Sequence, residues 1–312
     1  MSSNTIKQSE ILLESGTNEL EIMEFTLGGE LFGINVAKVR EILQYTEVKP
    51  MQNAHPIIEG IFKPRDVVIT VLDLAKYLGM PPSENNERDI FIVTHFNQMM
   101  FAFHVHSVVG INRISWKNIE KPDQIIYGGS EGVATGIATY EGRLITILDF
   151  EKIIIEIRPQ AGIQISEVEK LGARERTTCP VLIAEDSMIL AKLLMESLHK
   201  AGYENVIKTD NGQEAWDTLC NMKESNLPIT DLVRCIVTDI EMPQMDGHRL
   251  TKLIKEDLKL KEIPVILFSS LINEEMRYKG KQVGADAQLS KPEIGNLIKF
   301  VDDLIAGKKV EH

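Results

Sequence analysis

The second part of the chain alternates short apolar segments with longer amphipathic ones, five times in succession. The apolar segments are continuous runs of aliphatic residues, which is typical of strands buried on both faces of a sheet. The predicted strands are 181–184, 205–208, 233–238, 264–268 and 287–289, and the predicted helices are 187–201, 212–222, 247–258, 273–283 and 294–305. This alternation predicts an α/β domain whose parallel five-stranded sheet is covered by helices on both faces.

Polar side chains stand where the predicted strands end. Glu185 and Asp186 follow the first strand, Asp239 the third, Ser269 the fourth and Lys291 the fifth. Because parallel sheets of this kind place their chemistry at the carboxyl ends of their strands, these side chains are expected to lie close together. Adjacent carboxylates repel each other, and Mg²⁺, which prefers hard oxygen ligands, relieves that repulsion. The pattern predicts a magnesium site at which Asp239 is the nucleophile for a phosphoryl group, whose remaining oxygens Ser269 and Lys291 hold.

Each of these features alone has a simpler interpretation. Asp186-Ser187 before an apolar helix is typical of a helix N-cap, and Lys291-Pro292 after a strand is typical of a turn. Their combination, at the corresponding ends of four strands, favours the phosphoryl-accepting site.

Residues from about 20 to 150 show a different pattern, in which short β-like runs are bounded by turn signals. Aromatic and β-branched residues dominate these runs, which predicts a mostly-β domain of small barrels. The region also repeats itself, since residues 32–36 align with residues 101–105, and residues 68–73 with residues 144–149. We interpret the repeat as two similar β subdomains built from a duplicated unit; the alternative is chance similarity between amphipathic strands.

A stretch between the two regions has the composition of a linker. It contains Pro159, Gly162 and Gly172 together with a charged run. The sequence therefore predicts an N-terminal segment over 1–19, a β domain over 20–157, a linker over 158–178 and an α/β domain over 179–308.

Composition and charge exclude several classes of protein. The formal net charge of −12 disfavours binding to nucleic acid. No apolar run approaches the roughly 18 residues that a membrane span requires, and the polar N-terminus does not resemble a secretory signal. The three cysteines lack metal-binding spacing and are typical of reduced thiols. We expect a cytoplasmic protein that neither binds nucleic acid nor inserts into a membrane.

Residues 180–306 resemble a response-regulator receiver domain, which has an α/β flavodoxin-like fold. The resemblance is carried by the acidic pair Glu185-Asp186, by Ser269, by Lys291-Pro292, and by Asp239 in the segment Asp-Ile-Glu-Met-Pro-Gln-Met-Asp-Gly. It implies that a phosphohistidine of a sensor kinase phosphorylates Asp239. It also implies a domain that catalyses only its own phosphorylation and dephosphorylation, so the protein is not expected to be an enzyme.

The same resemblance implies a ligand set for the metal. Mg²⁺ would be bound by Asp186, Asp239 and the backbone carbonyl of Glu241, with Glu185 acting through water. The Lys291–Pro292 peptide bond would be cis, a specific structural feature where it occurs.

Two features depart from the receiver pattern. The position three before Lys291, which is aromatic in many receivers, is Gln288, so the relay from the phosphorylated site to the surface differs here. The connection over residues 221–231 is also longer than a compact receiver needs, which predicts a partner-specific loop.

Residues 20–157 resemble the CheW-like coupling module of chemotaxis, whose fold is two small five-stranded barrels. The resemblance is carried by the segments 32–42, 58–61 and 71–74 and by Arg65. It implies that Arg65, on a loop between strands, supports contacts with a kinase and a receptor. The family's usual Asn-Leu-Arg-Gly is here Lys-Pro-Arg-Asp, and the alternative is that Arg65 is a solvated surface charge.

A CheW-like domain followed by a receiver domain resembles the CheV type of chemotaxis coupling protein. The resemblance implies a cytoplasmic scaffold, associated with membrane-bound chemoreceptor arrays, that couples the chemoreceptor tips to the histidine kinase CheA. Phosphorylation of Asp239 would adjust that coupling.

Three other functions are alternatives to this hypothesis. A phosphate sink would only drain phosphoryl groups from the kinase. Gln288 favours this function, because a receiver that relays phosphorylation weakly to its surface can still be phosphorylated. A phosphatase of the haloacid-dehalogenase type needs a second Asp two residues after its nucleophile, where this chain has Glu241. A transcription factor would need a DNA-binding domain, and the acidic charge disfavours one.

Overall fold

The computed structural model of the protein describes residues 19–97, 99–120, 132–270, 272 and 274–310. The predicted N-terminal segment lies outside the described residues except for Glu19. The chain forms two compact units, and the division falls between Gln164 and Ile165.

The first unit contains two β-sheets. The strands are β1 (Glu19–Leu27), β2 (Glu30–Asn35), β3 (Val39–Gln44), β4 (Ile58–Phe62), β5 (Ile69–Asp73), β6 (Ile90–Phe96), β7 (Met99–Val105), β8 (Ser107–Ser115), β9 (Ile119–Glu120), β10 (Ala134–Tyr140) and β11 (Arg143–Leu148). One sheet has the order β8-β1-β2-β11-β10-β9 and the other the order β3-β6-β7-β5-β4. The mostly-β prediction is confirmed, and the short strand β9 makes one of the sheets six-stranded.

The tight turn between β1 and β2 depends on two glycines. Gly28 and Gly29 have φ values of +58° and +88°, a left-handed conformation that glycine adopts without steric cost. The turn sets the antiparallel register, in which Phe25 lies opposite Phe32.

The two copies of the sequence repeat exchange strands. The last strand of the first copy, β5, pairs in parallel with β7 of the second copy, with Thr70 opposite Phe101. The last strand of the second copy, β11, pairs in parallel with β2 of the first copy, with Thr146 opposite Phe32. Each sheet is therefore built from both copies, which a reading of the repeat as two separate subdomains does not capture.

A helix joins the two sheets of this unit through an aromatic cluster. Helix α1 (Leu74–Tyr77) follows β5, and helix α2 (Phe150–Ile157) follows β11. The Asp149 carboxylate accepts a hydrogen bond from the Lys152 backbone N–H at 2.9 Å and so caps α2. The Phe150 ring lies 6.2 Å from the Phe25 ring and 4.3 Å from the Phe103 ring, so one aromatic side chain contacts both sheets.

The second unit is a parallel sheet covered by helices, as the alternation predicts. Its strands are β12 (Val181–Ala184), β13 (Val206–Thr209), β14 (Cys235–Thr238), β15 (Val265–Ser269) and β16 (Ala287–Ser290). Its helices are α3 (Ser166–Glu169), α4 (Met188–Lys200), α5 (Gly212–Lys223), α6 (Ile229–Leu232), α7 (Gly247–Glu256), α8 (Glu274–Gln282) and α9 (Ile294–Ile305). The strand order is β13-β12-β14-β15-β16, and every neighbouring pair is parallel.

The core of this unit explains why the sequence folds in this way. All residues of β12, β14 and β15 are buried, which matches their continuous apolar runs.

The long connection before β14 contains the short helix α6, which sequence reasoning did not predict.

The segment predicted as a linker is structured on both sides of Gln164. In the first unit, Ala161 and Ile163 are buried, and the Asn97 amide donates a hydrogen bond to the Ala161 carbonyl at 2.7 Å. In the second unit, Val168 is buried on α3. The domain boundaries given above stay predictions.

Candidate functional site

The candidate site lies at the carboxyl edge of the parallel sheet. Because Ala184 of β12 is paired with Thr238 of β14, the residues that follow these strands emerge side by side. These residues are Glu185 and Asp186 on one strand and Asp239 on the other. The structure thus brings the three predicted carboxylates together.

A buried lysine holds two of the three carboxylates. The Lys291 Nζ lies 2.7 Å from Asp239 Oδ2 and 3.0 Å from Glu185 Oε2. The exposed fractions of Lys291, Glu185 and Asp239 are only 1%, 2% and 4%. A buried charge is stable only when it is paired and hydrogen-bonded, so each of these three groups requires the others.

Backbone N–H groups orient the same carboxylates. The Ile240 N–H donates to Asp239 Oδ1 at 2.6 Å, and the Ser187 N–H donates to Glu185 Oε1 at 3.2 Å. Asp239 therefore has one oxygen on a backbone donor and the other on the Lys291 ammonium. Its position is set before any ligand arrives, which lowers the cost of binding one.

The loop after Asp239 is packed tightly against the start of α7. A Cβ atom at Gly247 would lie 2.0 Å from the Asp239 carbonyl oxygen, so only glycine fits there. Asp246 caps α7 by accepting a hydrogen bond from the Arg249 N–H at 2.7 Å. Burial raises the pKa of Asp246, although this hydrogen bond and the charge of Lys279 oppose the shift.

The geometry of the carboxylates fits a hard divalent cation. Glu185, Asp186 and Asp239 each offer an oxygen, and these oxygens all lie within 4.8 Å of one another. Three carboxylates and one ammonium leave a formal charge of −2, which a divalent cation neutralises. Oxygen ligands of this kind suit Mg²⁺. Within the described part of the chain, this is the one group of three or more ligating side chains that could hold a metal ion.

The remaining predicted residues of this site lie nearby in the fold. Ser269 is the last residue of β15 and is buried, and its carbonyl accepts a hydrogen bond from the Lys291 N–H at 3.1 Å. Glu241 follows Asp239 by two residues in the loop after β14. The roles assigned to both residues stay predictions. The Lys291–Pro292 bond is trans, so the expectation of a cis bond is wrong; the trans form of such bonds is favoured by about 0.5–1 kcal/mol.

Gln288 fills the position that is aromatic in many receivers, and it contacts α8. It is 2% exposed, and its Nε2 donates a hydrogen bond to the Arg277 carbonyl at 2.8 Å. Its Oε1 is buried without a hydrogen-bond partner. Gly280 on α8 leaves the space for this side chain, since a Cβ atom there would lie 2.4 Å from Gln288 Oε1.

Arg65, in the first unit, lies in the turn between β4 and β5. Its side chain is 77% exposed, and its Nη2 lies 3.2 Å from Glu41 Oε2. The predicted placement on a loop between strands matches the structure, and the role in partner binding stays a prediction.

A second cluster of charged side chains, in the first unit, was not found from the sequence. His104 is buried on β7, with its Nδ1 2.8 Å from Glu59 Oε2 and its Nε2 2.9 Å from Asp89 Oδ2. Since the two carboxylates lie on opposite sides of the ring, the imidazole occupies the space between them and no metal site forms. The sequence did not point to these partners, because they lie 45 and 15 residues away from His104 along the chain.

Comparisons with known proteins agree with this architecture. The model of the CheW-like domain matches residues 21–158, and the model of the response regulator receiver domain matches residues 181–302. Chemotaxis protein CheV3 of Helicobacter pylori is 30% identical over 289 residues, covering 88% of this chain and 91% of that protein. The chain belongs to the CheV family of chemotaxis proteins.

Other relatives cover most of the chain or one of its parts. CheV1 of the same organism is 26% identical and covers 88% of this chain and 89% of that protein. Chemotaxis protein CheW of Rhizobium meliloti is 27% identical over 43% of this chain and 86% of its own length. A CheV-type chain is thus a CheW-like domain joined to a receiver domain, an arrangement that supports a chemotaxis adaptor role. Among the described residues, no helix has the length and apolar character that crossing a membrane demands.

Proposed function

We propose that the protein couples chemoreceptors to the histidine kinase CheA and that phosphorylation of Asp239 adjusts this coupling. The observation that carries the proposal is the arrangement of Asp239, held by Lys291 beside the acidic pair, in the same chain as a CheW-like domain. The protein would accordingly act at membrane-bound chemoreceptor arrays, as an adaptor and not as an enzyme on other substrates.

The proposed reaction is the transfer of a phosphoryl group to a carboxylate. An Asp239 oxygen forms a bond with phosphorus while the bond from phosphorus to the histidine nitrogen of the kinase breaks, and the imidazole takes up a proton. Water later hydrolyses the acyl phosphate. The Lys291 ammonium and the Ser269 hydroxyl would hold the phosphoryl oxygens as negative charge develops on them.

Mg²⁺ would be held by Asp186, Asp239 and the Glu241 backbone carbonyl, with Glu185 acting through water. When bound, the ion would neutralise charge on the phosphoryl group. The supporting observation is the convergence of the carboxylate oxygens within 4.8 Å.

The CheW-like domain would provide the contacts with kinase and receptor. Arg65, which is 77% exposed, is the residue proposed for these contacts. Substitution Arg65→Ala is expected to weaken kinase binding without changing phosphorylation of Asp239.

Phosphotransfer from purified, radiolabelled phospho-CheA in the presence of Mg²⁺ tests the proposal. The wild-type chain is expected to become labelled, and Asp239→Asn is expected to remain unlabelled. Asp210→Asn is the matched control, because Asp210 follows β13 at the same edge of the sheet but lies outside the carboxylate group. Label that persists in Asp239→Asn would show that another residue is the acceptor.

A phosphate sink is the second candidate, and the contact of Gln288 with α8 favours it. An amide in place of the aromatic side chain would leave phosphorylation intact while altering its transmission. Measuring CheA activity in receptor complexes with wild type and with Asp239→Asn separates the two functions. A sink predicts equal coupling by both proteins, whereas regulated coupling predicts a difference.

A further inference from the structure

The chain enters the second unit through residues 165–178, which we call the entry segment. This segment packs on the receiver domain. Its helix α3 contacts both α4 and α9, and Glu169 on α3 forms an ion pair with Lys200 on α4. The Thr177 N–H donates to the Gly202 carbonyl at 2.8 Å, and the Glu204 N–H donates to the Thr177 carbonyl at 2.9 Å. The entry segment is therefore hydrogen-bonded to the receiver at its far end and packed on it at its near end.

An arginine of the entry segment is tied to α9. The Arg174 Nη2 donates to both carboxylate oxygens of Asp302, at 2.5 and 2.7 Å. The Arg174 Nε donates to the Ala201 carbonyl at 2.8 Å, and the Tyr203 hydroxyl donates to Asp302 Oδ1 at 2.6 Å. Contacts of this kind are strong and depend closely on geometry.

The members of this cluster differ in burial, and the Asp302 side chain is 35% exposed. Tyr203 is 3% exposed, and the Arg174 side chain is 21% exposed. Burial, together with the hydrogen bond to Asp302, raises the pKa of Tyr203, so its hydroxyl stays a donor.

The backbone of the entry segment also touches the receiver directly. A Cβ atom at Gly202, whose φ is +99°, would lie 2.4 Å from the Glu175 carbonyl oxygen. This close approach leaves the entry segment little freedom to shift while the Arg174–Asp302 contact is made.

Helix α9 connects this cluster to the phosphoryl-accepting site. It begins at Ile294, three residues after Lys291, whose ammonium lies 2.7 Å from Asp239 Oδ2. Ile294, Leu297 and Val301 on α9 are buried. Asp302 lies on the same helix, about 12 Å along the axis from its start at the α-helical rise. One packed helix, which starts three residues after the lysine of the site, thus reaches the anchor of the entry segment.

We propose that α9 and the Arg174–Asp302–Tyr203 cluster transmit the phosphorylation state of Asp239 to the entry segment, and hence to the chain that leads to the CheW-like domain. The inference rests on the proposed function. It assigns Arg174, Tyr203 and Asp302 a positioning role that is separate from the chemistry at Asp239.

The physical reason is a change in the contacts of Lys291. The acyl phosphate carries about 1.5 to 2 negative charges where the free carboxylate carries one, and its three acceptor oxygens compete with Glu185 for the ammonium. A movement of Lys291 displaces the start of α9, and a packed helix carries the displacement to Asp302. Because such coupling is reciprocal, docking of the entry segment also changes the affinity of the site for a phosphoryl group.

Hydrogen exchange of the full chain tests the transmission without the kinase. Beryllofluoride with Mg²⁺ is the probe, since it mimics a phosphoryl group on an aspartate. In the wild type, we expect the probe to change amide exchange over residues 170–178 by at least about fivefold. In Asp302→Asn, exchange there is expected to be faster without the probe and unchanged by it. Exchange that is the same with and without bound beryllofluoride in the wild type would overturn the inference.

Kinase coupling gives the second measurement. Asp302→Asn and Tyr203→Phe are expected to accept phosphoryl groups at the wild-type rate while losing most of the phosphorylation-dependent change in CheA activity. Tyr203→Phe removes only a hydroxyl group, so it addresses the possibility that Asp302→Asn unfolds. Asp303→Asn is the matched control, because Asp303 neighbours Asp302 on α9 but pairs with Lys308.

The outcomes separate this inference from the proposed function. If phosphorylation leaves CheA activity unchanged in the wild type, regulated coupling itself fails. If the wild type responds and Tyr203→Phe and Asp302→Asn respond equally, only the transmission through the entry segment fails.

Discussion

At the scale of single residues, Lys291 is the group on which the candidate site most depends. Its side chain is 1% exposed, and its ammonium contacts carboxylates that follow two different strands. Burying such a charge is expensive unless it is paired, and removing one partner leaves the others uncompensated. The stability of the receiver and the position of Asp239 are therefore linked.

Substitution Lys291→Ala is expected to lower the free energy of unfolding of the receiver by about 3–5 kcal/mol in buffer without divalent cations. Mg²⁺ is expected to restore part of that loss, because a cation compensates the two buried carboxylates that have lost the ammonium. Urea unfolding followed by Trp216 fluorescence, in a Trp116→Phe background, measures both effects.

The control for this experiment is Lys299→Ala on α9. Lys299 is exposed, so its removal is expected to change stability by less than about 0.5 kcal/mol. Equal stabilities for Lys291→Ala and Lys299→Ala would argue against a buried charge network.

His104 gives the CheW-like domain a pH-dependent stability. Burial lowers the pKa of His104, but the hydrogen bonds and charges of Glu59 and Asp89 outweigh it and raise the pKa above the ordinary value of 6.5. Tyr45 lies against the ring at a centroid distance of 5.2 Å, and Ser83 donates to the second Asp89 oxygen at 2.7 Å. The native state therefore favours the imidazolium.

The sign of the pH dependence follows from this shift. A group with a raised pKa in the folded state contributes stability that is fully present below its unfolded pKa of 6.5 and lost as pH rises through the folded pKa. The difference in unfolding free energy between wild type and His104→Gln is expected to be larger at pH 6 than at pH 9. Denaturant titrations of the full chain across this range measure it. The exposed His55, replaced by Asn, is the control and should not change the slope; a pH-independent effect of His104→Gln would contradict the prediction.

At the scale of elements, α8 is held to the sheet by an amide in place of an aromatic ring. Gln288 donates to the Arg277 carbonyl, and Gly280 leaves the space that the Gln288 side chain fills. The Gln288 Oε1 is buried without a hydrogen-bond partner. Burying such an unsatisfied acceptor lowers the free energy of unfolding by about 1–3 kcal/mol. Helix α8 and the Gln288 side chain are therefore complementary in shape, and the unsatisfied amide oxygen lowers the stability of the receiver.

Gly280→Ala is expected to destabilise the receiver by about 1–3 kcal/mol, because the added methyl group meets Gln288 Oε1 in a packed interior. In a Gln288→Ala background the same substitution is expected to be neutral, or stabilising by up to about 1 kcal/mol from helix propensity. A double-mutant cycle by urea unfolding measures the coupling energy. Additive effects would mean that the two side chains do not share the space.

At the scale of the whole molecule, strand exchange makes the CheW-like domain a single folding unit. Parallel pairing of β5 with β7 and of β11 with β2 means that each sheet needs strands from both copies of the repeat. A fragment holding one copy would expose unpaired strand edges and apolar faces.

Cutting the domain between the copies, at residues 89 and 90, is expected to give two fragments that are each unfolded. Mixing them is expected to restore β structure, because the exchanged strands can then pair. Far-ultraviolet circular dichroism and size-exclusion chromatography of each fragment and of the mixture measure this. Independent folding of either fragment would show that one copy is sufficient.

Much of the receiver could be predicted from sequence, because its signals are local. Continuous apolar runs marked β12, β14 and β15, and polar residues at their ends marked the candidate site. Boundaries were less accurate: helix α7 ends at Glu256 rather than residue 258. The Asp257 carboxylate accepts hydrogen bonds from the Lys259 and Leu260 N–H groups and so starts a new turn.

The sequence by itself determined the two kinds of domain and the carboxyl edge that gathers Glu185, Asp186 and Asp239, since periodicity and strand ends are properties of neighbouring residues. Only the tertiary structure decided that Lys291 pairs with both Asp239 and Glu185, that the two copies exchange strands, and that Arg174 anchors the entry segment to Asp302. These pairs are separated by tens to more than a hundred residues along the chain. Their formation depends on which strands and helices become neighbours, and that choice is made by burying the whole apolar surface at once.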